Sequence, residues 1–176
     1  MSEYFLNTNN INEWVETLSA GDKIYLSGVI YTARDAAHKN FINLIKEGES
    51  LPFDINGAVI YYAGPTPAKG DLAVGSIGPT TSSRMDAFAP QLLSLGLKAM
   101  IGKGDRNREV YEALVENKAV YFAAIGGAGA LYSGCVKSCD VVAFPHLGCE
   151  SVKKLLIEDF PVIVAIDSNG KSLYNL

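Results

Sequence analysis

Apolar runs rich in β-branched and aromatic residues alternate along this sequence with segments whose apolar residues recur at helical spacing. The runs predict strands at 23–31, 57–64, 72–78, 97–102, 119–127, 139–145 and 162–167. Helices are predicted at 34–48, 84–96, 107–117 and 126–134. The turn Ser168-Asn169-Gly170 predicts a terminal hairpin with KSLYNL as its second strand. The expected architecture is therefore a single α/β domain, residues 1–176, built on a mixed sheet.

Three local predictions depend on finer signals. Thr32 and Asp35 have the spacing of a capping-box variant, with Asp35 as the capping residue of a helix that ends at Gly48. Segment 11–20 fits either a short helix or a strand. For segment 148–161 the length favours a helix, whereas the alternation in KKLLIEDF fits a strand equally well.

Charge and composition exclude several classes of function. A net charge of −4 over 176 residues gives no general electrostatic attraction to nucleic acid. No apolar run approaches the roughly 20 residues that cross a bilayer, and the first ten residues lack the pattern of a signal peptide. A cytoplasmic protein is expected, in which the three cysteines stay reduced.

The stretch GPTTSSR at 78–84 stands between a predicted strand and a predicted helix. Gly-Pro forces a turn, and the hydroxyl run that follows is typical of a helix N-terminus. Thr80, Thr81 and Arg84 would share one side of that helix start. Hydroxyls, backbone N–H groups and a guanidinium would then converge, which predicts an anion-binding point. An ordinary capped helix with a surface arginine is the alternative.

Two other predicted strands are also followed by cationic side chains. Arg34 and His38 lie four residues apart after the first long strand, and Lys103 stands between two glycines after another. A packed histidine and a generic turn with an exposed lysine are the alternatives. With Arg84, these groups suit a small dicarboxylate better than a phosphate, because one arginine can grip each carboxylate. No carboxylate pair or Ser-His-Asp set accompanies them, so half of an active site is expected.

The glycines and cysteines indicate packing rather than cofactor binding. Gly126–Gly129 lacks the GxGxxG spacing of a dinucleotide loop. The cysteine spacing matches neither zinc nor iron–sulfur ligation, so no metal is expected on this chain alone. A self-sufficient metal enzyme is a further hypothesis, and it predicts stoichiometric metal in the isolated chain. Its ligands would be Cys135, Cys139, Cys149 and His146.

Five segments in order resemble the β subunit of class I, iron–sulfur-dependent fumarate hydratases and L-tartrate dehydratases. They are SGVIYTARDAAHK, GPTTSSRMD, IGKG, AIGGAGALY and IEDFPVIVAIDSNGKSLY. In single-chain members of that family the same unit is the C-terminal domain. The match runs from about residue 20 to the C-terminus, and its combination of motifs is more specific than any one part. The region 133–155 is less similar, which leaves the substrate open.

The resemblance implies a three-layer swivelling β/β/α domain with a mixed sheet. It also implies an obligate α subunit that carries a [4Fe–4S] cluster, and a small dicarboxylate as substrate. The implied substrate contacts are Arg34, Thr81, Arg84 and Lys103. Thr80 is the implied base, although a neutral threonine is weak and would need a charged partner. His38 would support Arg34 without touching the substrate.

The expected function is therefore the β subunit of a two-subunit hydro-lyase that interconverts (S)-malate and fumarate, active only with the α subunit and assembled in a higher oligomer. An L-tartrate dehydratase β subunit, which forms oxaloacetate, is the alternative within the family. A non-catalytic anion-binding or assembly module of the same fold is an alternative of another class. Neither nucleic acid nor a membrane is expected as a partner.

Overall fold

Seven strands and five α-helices form the computed structural model, which describes residues 1–174. The strands are β1 (Glu3–Asn7), β2 (Lys23–Thr32), β3 (Val59–Tyr61), β4 (Ala99–Gly102), β5 (Val120–Ala123), β6 (Val136–Ala143) and β7 (Val152–Ile166). The helices are α1 (Ile11–Trp14), α2 (Asp35–Glu47), α3 (Ala89–Ser94), α4 (Arg108–Glu116) and α5 (Gly129–Gly134). Short 3₁₀ segments cover Thr8–Asn10, Ser82–Met85 and Pro145–Glu150. The alternation of strands and helices confirms the predicted α/β class.

Five of the strands close into a ring. Strands β1 to β5 pair side by side in parallel, whereas β7 is antiparallel to β2, β5 and β6. Residues 153–163 of β7 pair with β2 while its last residues pair with β5, so β2, β3, β4, β5 and β7 form a continuous circuit. The sheet is mixed, as predicted. The carboxyl ends of β2, β3 and β4 lie at the same end of the ring, which places the loops that follow them close together.

Alternate residues of the ring strands enter two hydrophobic cores. On β3, Val59 and Tyr61 belong to the first core and Ile60 to the second. The first core also contains Tyr132 and Phe160, whose rings stack with centroids 4.4 Å apart. The second core packs the ring against α2, α3 and α4 through Phe41, Leu92 and Leu114. Because both faces of β3, β4 and β5 are buried, their sequences are continuous apolar runs.

Two helices confirm their predicted ends. Helix α2 ends at Gly48, which adopts the left-handed conformation at φ 73°. Helix α4 begins after Asn107, whose side chain accepts a 3.0 Å hydrogen bond from the N–H of Val110. Among the described residues, no helix combines the length and apolar character needed to span a membrane.

The start of α2 differs from the predicted capping box. Arg34, in extended conformation, occupies the cap position and makes no side-chain capping bond. Thr32 is the last residue of β2, and its hydroxyl accepts a 3.2 Å hydrogen bond from the N–H of Lys153 on β7. Asp35 is the first helical residue, and its carboxylate contacts Arg84 instead of capping the helix. The capping prediction was wrong because both side chains have tertiary partners that local spacing cannot reveal.

Residues 72–78, predicted as a strand, have no regular structure. Val74 and Ile77 are buried in the first core, but the backbone bonds elsewhere. The N–H of Gly75 donates to the carbonyl of Thr66, at 2.9 Å, and that of Ile77 to the carbonyl of Gly129, at 3.1 Å. The apolar composition therefore indicated burial correctly, while the strand was wrong.

The predicted helix 84–96 is broken in two. Ser82–Met85 forms a 3₁₀ turn, and α3 begins at Ala89, with Pro90 in its first turn. Proline lacks an N–H and favours the start of a helix, so it begins a new helix here instead of continuing one. Thr81 precedes the turn but makes no side-chain capping bond. The hydroxyl run is therefore not the N-terminus of a long helix.

The ambiguous segment 148–161 is resolved as the end of a 3₁₀ turn followed by β7. Leu155, Ile157 and Phe160 are buried in the first core. A bulge interrupts the pairing with β2, where Glu158 and Asp159 together oppose Ser27. Length alone favoured the wrong element, and the alternating pattern was correct.

Three shorter segments complete the comparison. Segment 11–20 contains the short helix α1, and α5 covers only the second half of 126–134. The terminal hairpin is reduced to one antiparallel bridge, between Ile166 and Ser172. Residues 175–176, the end of the predicted second hairpin strand, lie outside the described residues.

Candidate functional site

Two arginines lie on either side of one carboxylate. Arg84, in the 3₁₀ turn, places Nε 2.9 Å from Oδ1 of Asp35. Arg34, immediately before α2, places Nε 4.0 Å from Oδ2 of the same residue. The Arg84 side chain is 51% exposed and that of Arg34 24%. The structure thus brings together two of the predicted site residues, and the carboxylate between them balances part of their charge.

Lys103 lies beside the threonine pair. Thr81 and Lys103 form an isolated parallel β-bridge, and both residues are exposed. The N–H of Ser82 donates to the carbonyl of Lys103 at 2.9 Å, and the N–H of Lys103 donates to Oγ of Ser82 at 3.0 Å. These reciprocal bonds fix the loop after β4 against the turn that carries Arg84.

The two glycines around Lys103 have different uses. A Cβ atom on Gly102 would collide with Oγ of Ser82 and lie 2.9 Å from Cδ2 of Tyr62. Gly104 adopts φ 80°, in the left-handed region, with open space around it. Gly102 is therefore needed because Ser82 packs directly against its backbone. Gly104 provides the turn that leaves Lys103 exposed to solvent.

Thr80 connects the site to β3. Its N–H donates a 2.7 Å hydrogen bond to the carbonyl of Tyr62, directly after that strand. Gly64, two residues further on, lies against Arg34: a Cβ atom there would be 3.3 Å from Cδ of the arginine. Thr80 is half-buried, between the exposed Thr81 and the strand. The loops after β2, β3 and β4 therefore meet at the segment 80–84; the sequence predicted this convergence but placed Arg84 after a strand at 72–78, which does not form.

His38 is buried behind Arg34. Its side chain is inaccessible to solvent, and Nδ1 lies 2.7 Å from the backbone carbonyl of Arg34. Because a carbonyl only accepts, Nδ1 carries the proton and Nε2 is the bare nitrogen. Burial lowers the pKa of His38 to about 4, so the ring is neutral at physiological pH. The ring packs against Tyr62 and Phe88, a position that suits support of Arg34 and excludes contact with solvent.

A buried ion pair beneath the site was not predicted. Nε of Arg106 lies 2.6 Å from Oδ1 of Asp86, and the two side chains are 0% and 8% exposed. The second oxygen of Asp86 accepts a 2.8 Å hydrogen bond from the N–H of Asn107. Sequence signals existed in GKGDRN and RMD, where an arginine and an acid follow the two site motifs. Their pairing depends on how two distant loops meet.

A chain of hydroxyl groups supports the same loop. The hydroxyl of Tyr121 lies 2.8 Å from the carbonyl of Gly104 and 2.8 Å from Oγ of Ser82. Since the carbonyl only accepts, Tyr121 donates to Gly104 and receives the hydrogen of Ser82, which in turn accepts from the N–H of Lys103. Burial raises the pKa of Tyr121 far above its ordinary value, so it stays protonated as this chain requires.

The 3₁₀ segment before β7 also reaches the site. Oε1 of Glu150 lies 3.6 Å from Nε of Arg34. Lys153 holds the segment in place: its Nζ donates to Oγ of Ser151 at 2.7 Å and to the carbonyl of Gly148 at 3.1 Å. Sequence reasoning missed Glu150 because the segment's structure was ambiguous.

The described residues contain no group of three or more His, Cys, Asp or Glu side chains placed to hold a metal ion. Cys135, Cys139 and Cys149 carry free thiols. The donor set of residues 1–174 therefore does not fit an iron–sulfur cluster, which needs several converging thiolates.

In the glycine-rich loop, a Cβ atom on Gly129 would collide with Oγ of Ser76 and lie 2.9 Å from the N of Gly78, so that glycine is required for close packing.

Comparison with known proteins identifies relatives over nearly the whole chain. A family model described as Fumarase C-terminus matches residues 2–176. A Methanocaldococcus jannaschii protein provisionally named L(+)-tartrate dehydratase subunit beta is 43% identical over 166 residues, which cover 91% of this chain and 85% of that protein. The Escherichia coli protein named fumarate hydratase class I, aerobic, is 38% identical over 154 residues, which cover 86% and 28%. Fumarate hydratase 2 of Leishmania major is 33% identical over 169 residues, which cover 95% and 30%.

The coverage separates two kinds of relative. This chain spans most of the length of the M. jannaschii protein, but less than a third of the two fumarate hydratases. The family model extends over every predicted site residue, from Arg34 to Lys103. The resemblance identified on the motifs of the sequence is thereby confirmed, and the chain belongs to the Fumarase C-terminus family.

Proposed function

We propose that this chain is the β subunit of a two-subunit, iron–sulfur-dependent hydro-lyase that reversibly dehydrates a 2-hydroxy dicarboxylate, with (S)-malate and fumarate as the substrate pair. One observation carries the proposal. Arg34 and Arg84 lie on either side of Asp35, and the turn that bears Arg84 is bonded to the loop of Lys103. Two guanidinium groups and an ammonium thus stand at one end of the ring.

This arrangement suits two carboxylates. Arg84 uses Nε for Asp35, and its terminal NH₂ groups make no hydrogen bond to another residue within 1–174. A guanidinium held in this way presents its terminal donors in a plane that matches one carboxylate bidentately. Arg34 offers a second guanidinium on the other side of Asp35, for the other carboxylate. Asp35 orients Arg84 through this bond, and its charge reduces the repulsion between the two arginines.

Thr80, Thr81 and Lys103 would act at the carbon skeleton between the two carboxylates. Dehydration removes a proton from the carbon next to one carboxylate, and Thr80 is the proposed acceptor of that proton. A neutral threonine is a poor base, so its hydroxyl would have to pass its own proton to a neighbouring base as its oxygen takes the proton from carbon; we propose that a side chain of the α subunit is that base. The bridge between Thr81 and Lys103 places the backbone of Lys103 beside this segment, and we propose that its ammonium holds a substrate carboxylate.

The site needs a second surface. Thr81, Arg84 and Lys103 are exposed, so a substrate held by this chain alone would remain in water. Loss of hydroxide also needs a Lewis acid or a proton donor, and residues 1–174 provide no metal-binding group. We therefore assign the [4Fe–4S] cluster to an α subunit that covers this end of the ring. The name of the M. jannaschii relative, a subunit beta, supports this assignment.

The strands and helices of this chain are arranged in layers. The ring contributes two β layers around the first core, and α2, α3 and α4 form a helix layer over the second core. We propose that this is the swivelling β/β/α type of domain. Such a domain would close over the α subunit as a rigid body, carrying the arginines with it.

A second substrate is favoured by one specific observation. The relative with 43% identity, which this chain covers almost end to end, is provisionally named for L(+)-tartrate. Tartrate is also a 2-hydroxy dicarboxylate, and the two arginines would grip it in the same way. Dehydration of L-tartrate to oxaloacetate is therefore the alternative reaction for the same site.

The test is reconstitution with an α subunit. The chain is co-expressed with a cluster-bearing partner, purified without oxygen, and assayed with fumarate, (S)-malate and L-tartrate; light scattering gives the mass of the assembly. Arg84→Ala is expected to abolish measurable turnover, while Arg108→Ala, which breaks an exposed pair with Glu112 on α4, retains it. Full activity of Arg84→Ala contradicts the site. Failure to bind any α subunit favours a non-catalytic anion-binding or assembly module.

A further inference from the structure

We propose that the buried ion pair between Arg106 and Asp86 is a positioning device, which sets how Lys103 and Arg84 are presented to the substrate. The inference rests on the proposed function of those two residues as substrate contacts. Arg106 itself is 6% exposed, so it acts through the loops it holds and does not touch a ligand.

The guanidinium of Arg106 is fixed on every side. Its Nε lies 2.6 Å from Oδ1 of Asp86, and NH2 lies 3.4 Å from the hydroxyl of Tyr62. The plane is enclosed by two aromatic rings, with the central carbon 5.3 Å from the centroid of Tyr62 and 4.9 Å from that of Tyr121. NH1 contacts the sulfur of Met100 at 3.6 Å. A flat, five-donor group fits this slot, and an ammonium does not.

These contacts connect three segments of the site. Asp86 follows Arg84 by two residues, and Arg106 follows Lys103 by three. The pair therefore joins the turn that grips one carboxylate to the loop that carries the ammonium. Tyr62, against the guanidinium, also receives the N–H of Thr80 at its carbonyl.

The physical cost of the pair indicates that its role is geometric. Removing two charges from water is expensive, and their attraction in the interior recovers that cost only when geometry is excellent. Apolar side chains of similar volume would often give equal stability at such a position. Apolar side chains would not fix the relative position of the two loops. The ion pair does fix it, because each donor of Arg106 has a single matching acceptor.

The experiment uses the full chain, alone and in complex with its α subunit. Arg106→Lys keeps the charge but loses the planar fork, Asp86→Asn keeps the shape but loses the charge, and Arg108→Lys is the matched control on exposed α4. Steady-state kinetics with fumarate give kcat and KM separately. Amide hydrogen exchange of the isolated chain, together with its Tm, reports on the loops without any need for activity.

For both buried variants we expect kcat/KM to fall about a hundredfold, because small displacements of positioning groups have effects of that size. Exchange should accelerate at 80–86 and 102–107 but stay slow in β2 and β7. The control should match wild type in both assays. Unchanged kinetics, unchanged loop exchange, or faster exchange throughout the ring with global unfolding would each overturn the inference. If the wild-type complex is inactive, the proposed function fails, and the exchange pattern alone decides whether the pair positions the loops.

Discussion

Nε of Arg84 and Oδ1 of Asp35, 2.9 Å apart, join residues that are 49 positions apart in the chain. The contact makes a helix-start carboxylate the anchor of an exposed arginine. The contact orients the Arg84 side chain and contributes little to the free energy of unfolding, since ion pairs that water reaches add little to stability.

Asp35→Asn should raise KM for fumarate several-fold to about tenfold, because the acceptor that orients Arg84 loses its negative charge and the bond weakens. The free energy of unfolding should change by less than about 1 kcal/mol. Kinetics of the reconstituted complex and urea unfolding of the chain measure the two effects. Glu112→Gln, which weakens the exposed pair with Arg108, is the control and should alter neither. A KM equal to that of wild type would show that Asp35 does not orient Arg84.

Gly102→Ala should lower the free energy of unfolding by about 1–3 kcal/mol, the usual cost of forcing an extra methyl into a packed site. The new Cβ would collide with Ser82, whose backbone and hydroxyl hold Lys103, so turnover should fall as well. Gly134→Ala, at the end of α5 with open space around it, is the matched control. Denaturant unfolding and fumarate hydration rates distinguish the two variants. Equal stability of both would contradict the close approach at Gly102.

His38 should make the protein less stable in mild acid. Its pKa in the fold is about 4 and its ordinary value is 6.5, so the unfolded chain binds the proton first. Above pH 6.5 both states are neutral and the group has no effect; between pH 6.5 and 4 it should remove about 3 kcal/mol in total. Nearby charges, those of Arg106 and Asp35, modify this value less than burial does.

The measurement is the free energy of unfolding against pH for wild type, His38→Gln and His146→Gln. Carboxylates also titrate in this range, so the effect of His38 is the difference between the wild-type curve and the His38→Gln curve. His146 is exposed, and its loss should leave the wild-type pH dependence intact. His38→Gln should flatten the curve between pH 6.5 and 4. Parallel curves for all three proteins would show that His38 is not buried as a neutral ring.

The thiols should be dispensable. A variant with Ser at positions 135, 139 and 149 should bind its α subunit and retain wild-type hydration activity, because no metal-binding group forms around them within the described residues. Anaerobic treatment of the isolated wild-type chain with iron and sulfide should give no stoichiometric iron by elemental analysis. One iron or more per chain would instead support a metal site on this chain.

Asp159→Gly should stabilise the fold by up to about 1 kcal/mol, because a left-handed conformation is strained for residues with a Cβ. Asp159 adopts φ 48° at the bulge opposite Ser27. Glu158→Gly, one residue earlier and not at positive φ, should instead cost about 0.5–1 kcal/mol. Thermal unfolding of the pair gives the comparison. A loss of stability in both would mean that the Asp159 side chain matters more than its backbone conformation.

The fold was predictable where local pattern and burial agree. Strands β3, β4 and β5 were found because both of their faces are buried, so no polar residue interrupts the run, whereas β2 was found from its β-branched and aromatic residues. Segment 72–78 is similarly apolar, but its backbone N–H groups bond to the carbonyls of Thr66 and Gly129 and not to a strand. Composition alone cannot distinguish a buried loop from a strand. The turn at Ser82–Met85 depends on Pro90 and on a tertiary contact with Lys103.

The candidate site was predictable to the extent that its residues follow strands. Parallel strands place their carboxyl ends together, so Arg34 after β2 and Lys103 after β4 could be expected to meet. Arg84 was expected to follow a strand at 72–78, which does not form, and it reaches the site through the long loop after β3 instead. Asp35 was assigned to helix capping because the sequence gives its neighbours in the chain and not its partner in space. Asp86 and Arg106 were missed for the same reason, since neither follows a rule of spacing.

The closure of the ring has a consequence for how the protein is made. The bond between Thr32 and Lys153 spans 121 positions, and β7 is the last strand of the described chain to leave the ribosome. Until it arrives, β2 and β5 carry unpaired edges that can associate with other nascent chains. Pairing over such separations is slow because loop-closure entropy must be overcome first. Rapid overexpression without added chaperones should therefore favour aggregation of this protein into inclusion bodies.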